Sequence, residues 1–297
     1  MKKNIPIYIM CLWAALSLAA CTDEADETAW PPGGMPLQLS VVVEDFAGSG
    51  AGTRATTENR WVGGEEVTVE DEYNHHRATY IVQADGRLEP KPGSGLAAWD
   101  NPYQERAFFA TYPSSLIASF TLLTDQSGEG YQKSDHMVAC LEKFKAPDAS
   151  KTLTFRHLSA KVVVHLRAGK GVTDEELLDA TVTFMNLKIT SRGFNYVDPG
   201  NMIRWDLVED GSFDVIPNEV IPAAEGYVRT VRALLMPQIV RKKFVRIETT
   251  GGKTFYYTPG DFEALFYAGK QYEYRLTVTS EGITNSTVEG GTWLPVD

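Results

Sequence analysis

Along most of this chain, apolar and polar residues alternate with a period of two. Residues 37–43 put Leu37, Leu39, Val41 and Val43 on one side of an extended segment, and Gln38 and Ser40 on the other. That spacing predicts a strand with one buried face. Strand patterns recur at 67–69, 78–82, 108–112, 153–166, 180–189, 227–235, 244–249, 253–257 and 272–279. In the last of these, Tyr272, Tyr274, Leu276 and Val278 share a face opposite Glu273, Arg275 and Thr277. Gly251-Gly252 separates two of the runs, which predicts a hairpin whose two central residues both take positive φ. Residues 173–180 depart from the rule: Thr173 followed by Glu176 forms a capping-box pattern and predicts a short helix. The chain reads as all-β.

The run at 153–166 changes phase. Leu153 and Phe155 are apolar on odd positions, whereas Leu158, Ala160, Val162, Val164 and Leu166 are apolar on even ones. A bulge or bend near Arg156 and His157 reconciles the halves, with His157 as a hydrogen-bonded corner residue. At 297 residues the chain exceeds one typical domain. The short helix near the midpoint places the division between residues 160 and 180, giving units at 37–167 and 168–297.

The N-terminus carries an address. Lys2 and Lys3 precede an apolar stretch over residues 5–20 that is too short for a comfortable membrane span. It ends Leu18-Ala19-Ala20-Cys21, which resembles the bacterial lipobox, so residues 1–20 read as a signal peptide and Cys21 as the lipidated N-terminus. Residues 21–36 are acidic and then rich in Pro and Gly, and read as a tether. The acidic cluster after Cys21 resembles an export signal to the outer face of the outer membrane. Cys11 leaves with the signal and Cys21 carries lipid, so Cys140 is the one thiol left and no internal disulfide forms. A Gly/Ser/Ala loop over 47–53 ends at Arg54.

Charge removes one class of partner. The net charge is −11 and the pI near 5.0, which excludes nucleic acid as a partner. The five histidines form no zinc spacing, and His75-His76 beside Asp71, Glu72 and Tyr73 read as a polar hairpin tip. No G-x-S-x-G elbow occurs. Gly251-Gly252-Lys253-Thr254 mimics the end of a P-loop, but Ile247 stands where its first glycine belongs. Asp206 to Gly211 lacks the alternation of a calcium loop. No cofactor, metal or catalytic residue is expected, and the chain reads as a non-enzyme. The aromatics read mostly as core, although exposed tyrosines could line a glycan-binding surface.

Several local patterns together resemble the fimbrillin-like (Mfa-like) family of lipoproteins, the subunits of type V pili. They are Thr53-Arg54-Ala55-Thr56, then Trp61-Val62-Gly63-Gly64-Glu65-Glu66-Val67, then Phe109-Ala110-Thr111-Tyr112-Pro113. Asp135-His136-Met137-Val138-Ala139, Phe155-Arg156-His157-Leu158-Ser159-Ala160, Pro237-Gln238, Ala268-Gly269-Lys270-Gln271-Tyr272 and Trp293 follow in order. Glu65-Glu66 replaces the family's usual Gly-Asp, and Pro295 stands in the tail, where it has no N–H to give a sheet. The resemblance implies two tandem transthyretin-like β-sandwich domains on a lipoprotein of the cell outer membrane. It further implies cleavage between Arg54 and Ala55, loss of the strand bearing Leu37, Leu39, Val41 and Val43, and its replacement by a neighbouring subunit's C-terminal segment. Val288, Trp293 and Val296 are the anchors expected there. The implied role is a pilus subunit, shaft or accessory, whose partners are other pilus subunits. The alternative is a monomeric surface lipoprotein or tip adhesin that binds host glycan or protein.

Overall fold

The computed structural model describes residues 34–46, 60–72, 75–96, 98–101, 103–115, 119–145, 151–195, 204–207, 211–260 and 264–289. In it, the phase change within 153–166 proves to be a change of sheet. Leu153 and Phe155 point into one core, while Leu158, Ala160, Val162, Val164 and Leu166 lie in another. The chain turns the corner at Leu158 and Ser159 between two separate strands, so no bulge within one long strand is needed. Cys21, Arg54, Ala55, Trp293 and Val296 lie outside the described residues.

The first core is enclosed by one seven-stranded sheet. In chain order its strands are β1 (Leu39–Val43), β2 (Glu66–Asp71), β3 (His76–Val82), β4 (Leu88–Pro90), β5 (Glu105–Tyr112), β7 (Met137–Lys145) and β8 (Lys151–His157). Their order across the sheet is β1-β8-β7-β5-β2-β3-β4. The sheet rolls until its two ends approach: Val41 N–H donates to the Gly86 carbonyl at 2.8 Å, just ahead of β4. β1 runs parallel to β8, and every other pairing in this sheet is antiparallel.

The second core lies between two sheets. One has the order β14-β15-β9-β18-β19, built from β9 (Ala160–Ala168), β14 (Asn218–Glu219), β15 (Arg229–Leu235), β18 (Gln271–Thr279) and β19 (Gly282–Glu289). The other has the order β13-β10-β16-β17, from β10 (Thr181–Leu187), β13 (Phe213–Val215), β16 (Val245–Glu248) and β17 (Thr254–Tyr257). Their inner faces share one cluster in which Phe184, Phe244, Phe266 and Tyr274 pack ring on ring. Strand β9, placed by pattern in the N-terminal unit, belongs to this second sandwich.

The first half also lends a segment to the second. β6 (Phe120–Thr121) pairs with β11 (Thr190–Asn195), which pairs in turn with β12 (Arg204–Leu207). Phe120, Leu122 and Val138 pack into the second core, and a short helix α1 (Glu129–Lys133) follows β6.

Two local expectations meet their geometry. Helix α2 (Asp174–Leu178) has its capping box: Glu176 N–H donates to Thr173 Oγ1 at 3.2 Å and Thr173 N–H to Glu176 Oε2 at 3.0 Å. The β16–β17 hairpin forms, but only Gly252 is left-handed, at φ +78°. Gly252 N–H bonds the Thr249 carbonyl at 2.9 Å and Thr249 N–H bonds that of Lys253 at 2.9 Å. This three-residue loop needs one positive φ, not two.

Candidate functional site

With a −Leu-Ser-Val-Val-Val− sequence, β1 is a short edge strand whose alternate side chains enter the first core. Leu39 and Val41 are buried, and Leu37 and Val43 pack half-buried against the same cluster. The four expected inward residues therefore share one face, while Val42 faces out. On one side β1 is laddered to β8, with a Ser40–Thr152 hydroxyl bond at 2.8 Å and an exposed Arg156–Glu44 pair at 2.7 Å. On the other side it meets the β3–β4 turn and the start of β4, through a Ser40–Arg87 bridge and the Val41–Gly86 bond. Gly86 holds φ +82° there, and a Cβ on it would meet the Val41 carbonyl oxygen at 2.8 Å, so only glycine allows the approach.

The fold extends ahead of β1. Met35, assigned by sequence to the tether, exchanges two backbone bonds with Trp99 at 3.1 and 2.8 Å and packs on the first core. Beyond β1, sequence reading missed Phe46. It is 2% exposed and forms its own small cluster with Tyr131 and Leu234. Its ring stacks on the His157 imidazole at 3.8 Å and 15°. The signal was present as a single aromatic between the acidic pair Glu44-Asp45 and the Gly/Ser loop.

The motif residues converge on the same region. Trp61 packs edge-on against Tyr112 at 5.3 Å and Phe155 at 5.2 Å, closing the first core beside β8. His157 is the corner residue expected of it, its Nδ1 2.8 Å from the Asp135 carboxylate. His136 stacks on Phe120 at 4.2 Å, and burial lowers its pKa. At the other end of the chain, Val288 pairs in register with Tyr274 as part of β19, an edge strand of its own sheet.

Lys161, at the start of β9, lies 5.8 Å over the Phe46 ring. Burial pushes its amine down to about 8, against the pull of Glu273, Asp135 and Asp45. An unfolded lysine titrates near 10.4, so between those values the unfolded chain binds the extra proton and stability rises with pH. Relative to Lys161→Met, the wild type should gain up to about 3 kcal/mol between pH 7 and pH 11. Urea unfolding of both proteins across that range measures it, and a constant difference would contradict the buried charge.

A polar cleft of about 430 Å³ opens on the outer face of β2, β3 and β5. Thr68, Thr79, Thr111 and Ser94 line it beside the Arg77–Glu70 pair, whose Nε to Oε2 distance is 2.6 Å. Among the described residues, no three His, Cys, Asp or Glu side chains gather as metal ligands.

Comparison with known proteins places this architecture. Solved structures from Bacteroides uniformis and Bacteroides ovatus, each described as a candidate cell adhesion protein, share the fold. The first superposes with a TM-score of 0.65 at 18% identity, covering 89% of this chain and 100% of that one. The second gives 0.62 at 17%, covering 90% and 100%. No curated protein matches in sequence. The fimbrillin-like family model, however, matches residues 53–293, from Thr53 beside Arg54 to Trp293. The two sandwiches and their motif residues thus belong to a member of the fimbrillin-like family, a non-catalytic fimbrial or adhesive protein of the cell surface.

Proposed function

We propose that this chain is a structural subunit of a surface fimbria, shaft or accessory, anchored to the outer membrane through lipid on Cys21 until it is processed. Cleavage between Arg54 and Ala55 releases residues 21–54, β1 leaves with them, and the C-terminal segment of a neighbouring subunit fills the groove. The observation that carries this reading is the position of β1. It covers the first core with Leu39 and Val41, yet is laddered to one strand only and stands at the sheet's edge. Each fully buried side chain contributes about 1.5–3 kcal/mol, so those two contribute about 3–6 kcal/mol before ordering entropy. With the peptide link cut, that hold is of the size one strand can surrender to another. Its departure uncovers apolar surface flanked by unpaired backbone groups, which recruit a strand.

Fimbriae collected from cells expressing the chain should yield an N-terminus at Ala55, and Arg54→Ala should prevent assembly. Deleting residues 284–297 should leave a folded protein that is cleaved but does not polymerise. Assembled material that begins at Cys21 would overturn the release of β1.

One observation favours a second reading as an adhesin. The hydroxyl-lined cleft with its Arg77–Glu70 pair has the chemistry of a polar-ligand site, and its volume falls within the usual range of ligand pockets. Glycan binding by uncleaved monomers, weakened by Arg77→Ala, would support it.

A further inference from the structure

The segment that leaves in the reading above carries more than the four inward residues Leu37, Leu39, Val41 and Val43. Phe46 follows Val43 by three positions and sits in a socket whose walls all stay behind: Tyr131 of α1, His157 at the end of β8, Lys161 of β9 and Leu234 of β15. These elements come from both halves of the chain, so the socket lies at the corner where β8 passes into β9. It is not simply apolar. His157 Nδ1 faces the Asp135 carboxylate at 2.8 Å, so Nδ1–H donates there and Nε2 points the other way. Among the described residues, buried His157 Nε2 and buried Tyr131 Oη have no hydrogen-bond partner. Phenylalanine fills the space without serving either atom. An aromatic side chain with an N–H or O–H edge would fill it and bond one of them.

We propose that the Phe46 socket is a specificity pocket of the strand-exchange groove and that Trp293 of a second copy of this chain is its occupant. This rests on the exchange reading, and three observations select that residue. Trp293 is the one aromatic among residues 290–297. Val288 and Trp293 are five residues apart, as are Val41 and Phe46, so an incoming strand that follows the parallel course of β1 sets Val288 in the place of Val41 when Trp293 reaches the socket. Finally, the β18–β19 ladder shifts register between Arg275 and Leu276. Only Thr287, Val288 and Glu289 pair beyond that irregularity, and the pairs from Asn285 back to Gly282 remain if those three fork away.

The test uses the mature protein cleaved at Arg54, with polymer growth followed by size exclusion and electron microscopy. Trp293→Ala should slow growth at least about tenfold, the effect of a 1.4 kcal/mol loss, while Trp293→Tyr should keep most of the rate. Phe46→Ala should act in the opposite sense, speeding growth after cleavage because the departing strand is held less firmly. With a photoreactive benzoylphenylalanine at position 293, cross-links should map to Tyr131, His157 or Leu234 of a second copy. Wild-type rates for Trp293→Ala, in a protein whose growth still requires residues 284–297, would overturn the socket while leaving strand exchange intact. Growth that does not require those residues would overturn both.

Discussion

Asp71→Asn should destabilise the folded protein by about 3–5 kcal/mol, because it removes the negative charge that a buried guanidinium contacts directly. Asp71 ends β2 and is fully buried, and Arg106, on the neighbouring β5, is 2% exposed. Arg106 Nε donates to Asp71 Oδ2 at 2.7 Å, and a terminal guanidinium nitrogen meets the same oxygen. The guanidinium also lies 4.9 Å from the Trp99 ring and 5.2 Å from that of Phe108, so aromatic faces replace part of its hydration. An amide keeps the shape of the carboxylate but not its charge. The double variant Asp71→Leu with Arg106→Met should regain most of the loss, since exchanging a whole buried pair for apolar residues of similar size is often nearly neutral. Equilibrium urea unfolding of Asp71→Leu, Arg106→Met and the double variant measures the coupling. A loss below about 1 kcal/mol for Asp71→Asn would refute the buried pair.

That aspartate also marks where reading the sequence stopped. Asp71, Glu72 and the two histidines look like one polar hairpin tip, and His75 and His76 are indeed exposed at the β2–β3 turn. The pattern cannot tell which acid turns inward, because the partner, Arg106, is 35 residues away and reaches it only through the β2–β5 pairing. The strands with a clean period of two were legible for the opposite reason: one buried face writes itself into every second residue. The 158–166 half of the long run kept its alternation, and only its sheet was misassigned, since a period of two says which face is buried but not against what. Strands β7, β11 and β19 escaped notice because polar or small residues interrupt their patterns. In the candidate site, the inward face of β1 was visible and its parallel pairing with β8 was not. Parallel partners are set by a return over more than a hundred residues, here from Leu39 to Lys151. Phe46 was hidden because its burial depends on His157, Tyr131 and Leu234, none of them near it in sequence.

Gln126→Ala should cost about 2–6 kcal/mol, an unusually large effect for one uncharged polar side chain. Gln126 is fully buried where the segment lent by the first half crosses the second sheet. Its backbone is tied to that sheet's neighbour: Gln126 N–H donates to the Ile216 carbonyl at 2.9 Å and Ile216 N–H to that of Thr124 at 2.8 Å. Its side chain does what a strand would do. Gln126 Nε2 donates to the Leu234 carbonyl at 2.8 Å, and Leu234 N–H donates to Gln126 Oε1 at 2.8 Å. β14 pairs with β15 only at Val231 and Arg232, so the carboxamide takes up the backbone of Leu234 two residues further along the same strand. Alanine leaves a buried donor and a buried acceptor unmet, at about 1–3 kcal/mol each. Gln126→Glu separates the two: it still accepts from Leu234 N–H but sets a carboxylate against the carbonyl oxygens of Leu234 and Leu123. Its loss should therefore be marked at pH 7 and shrink toward pH 4, where a protonated acid again supplies a donor. Urea unfolding gives the energies, and hydrogen exchange at the Leu234 amide locates them. A Gln126→Ala protein that keeps wild-type protection at that amide would show that the carboxamide does not hold the two halves together.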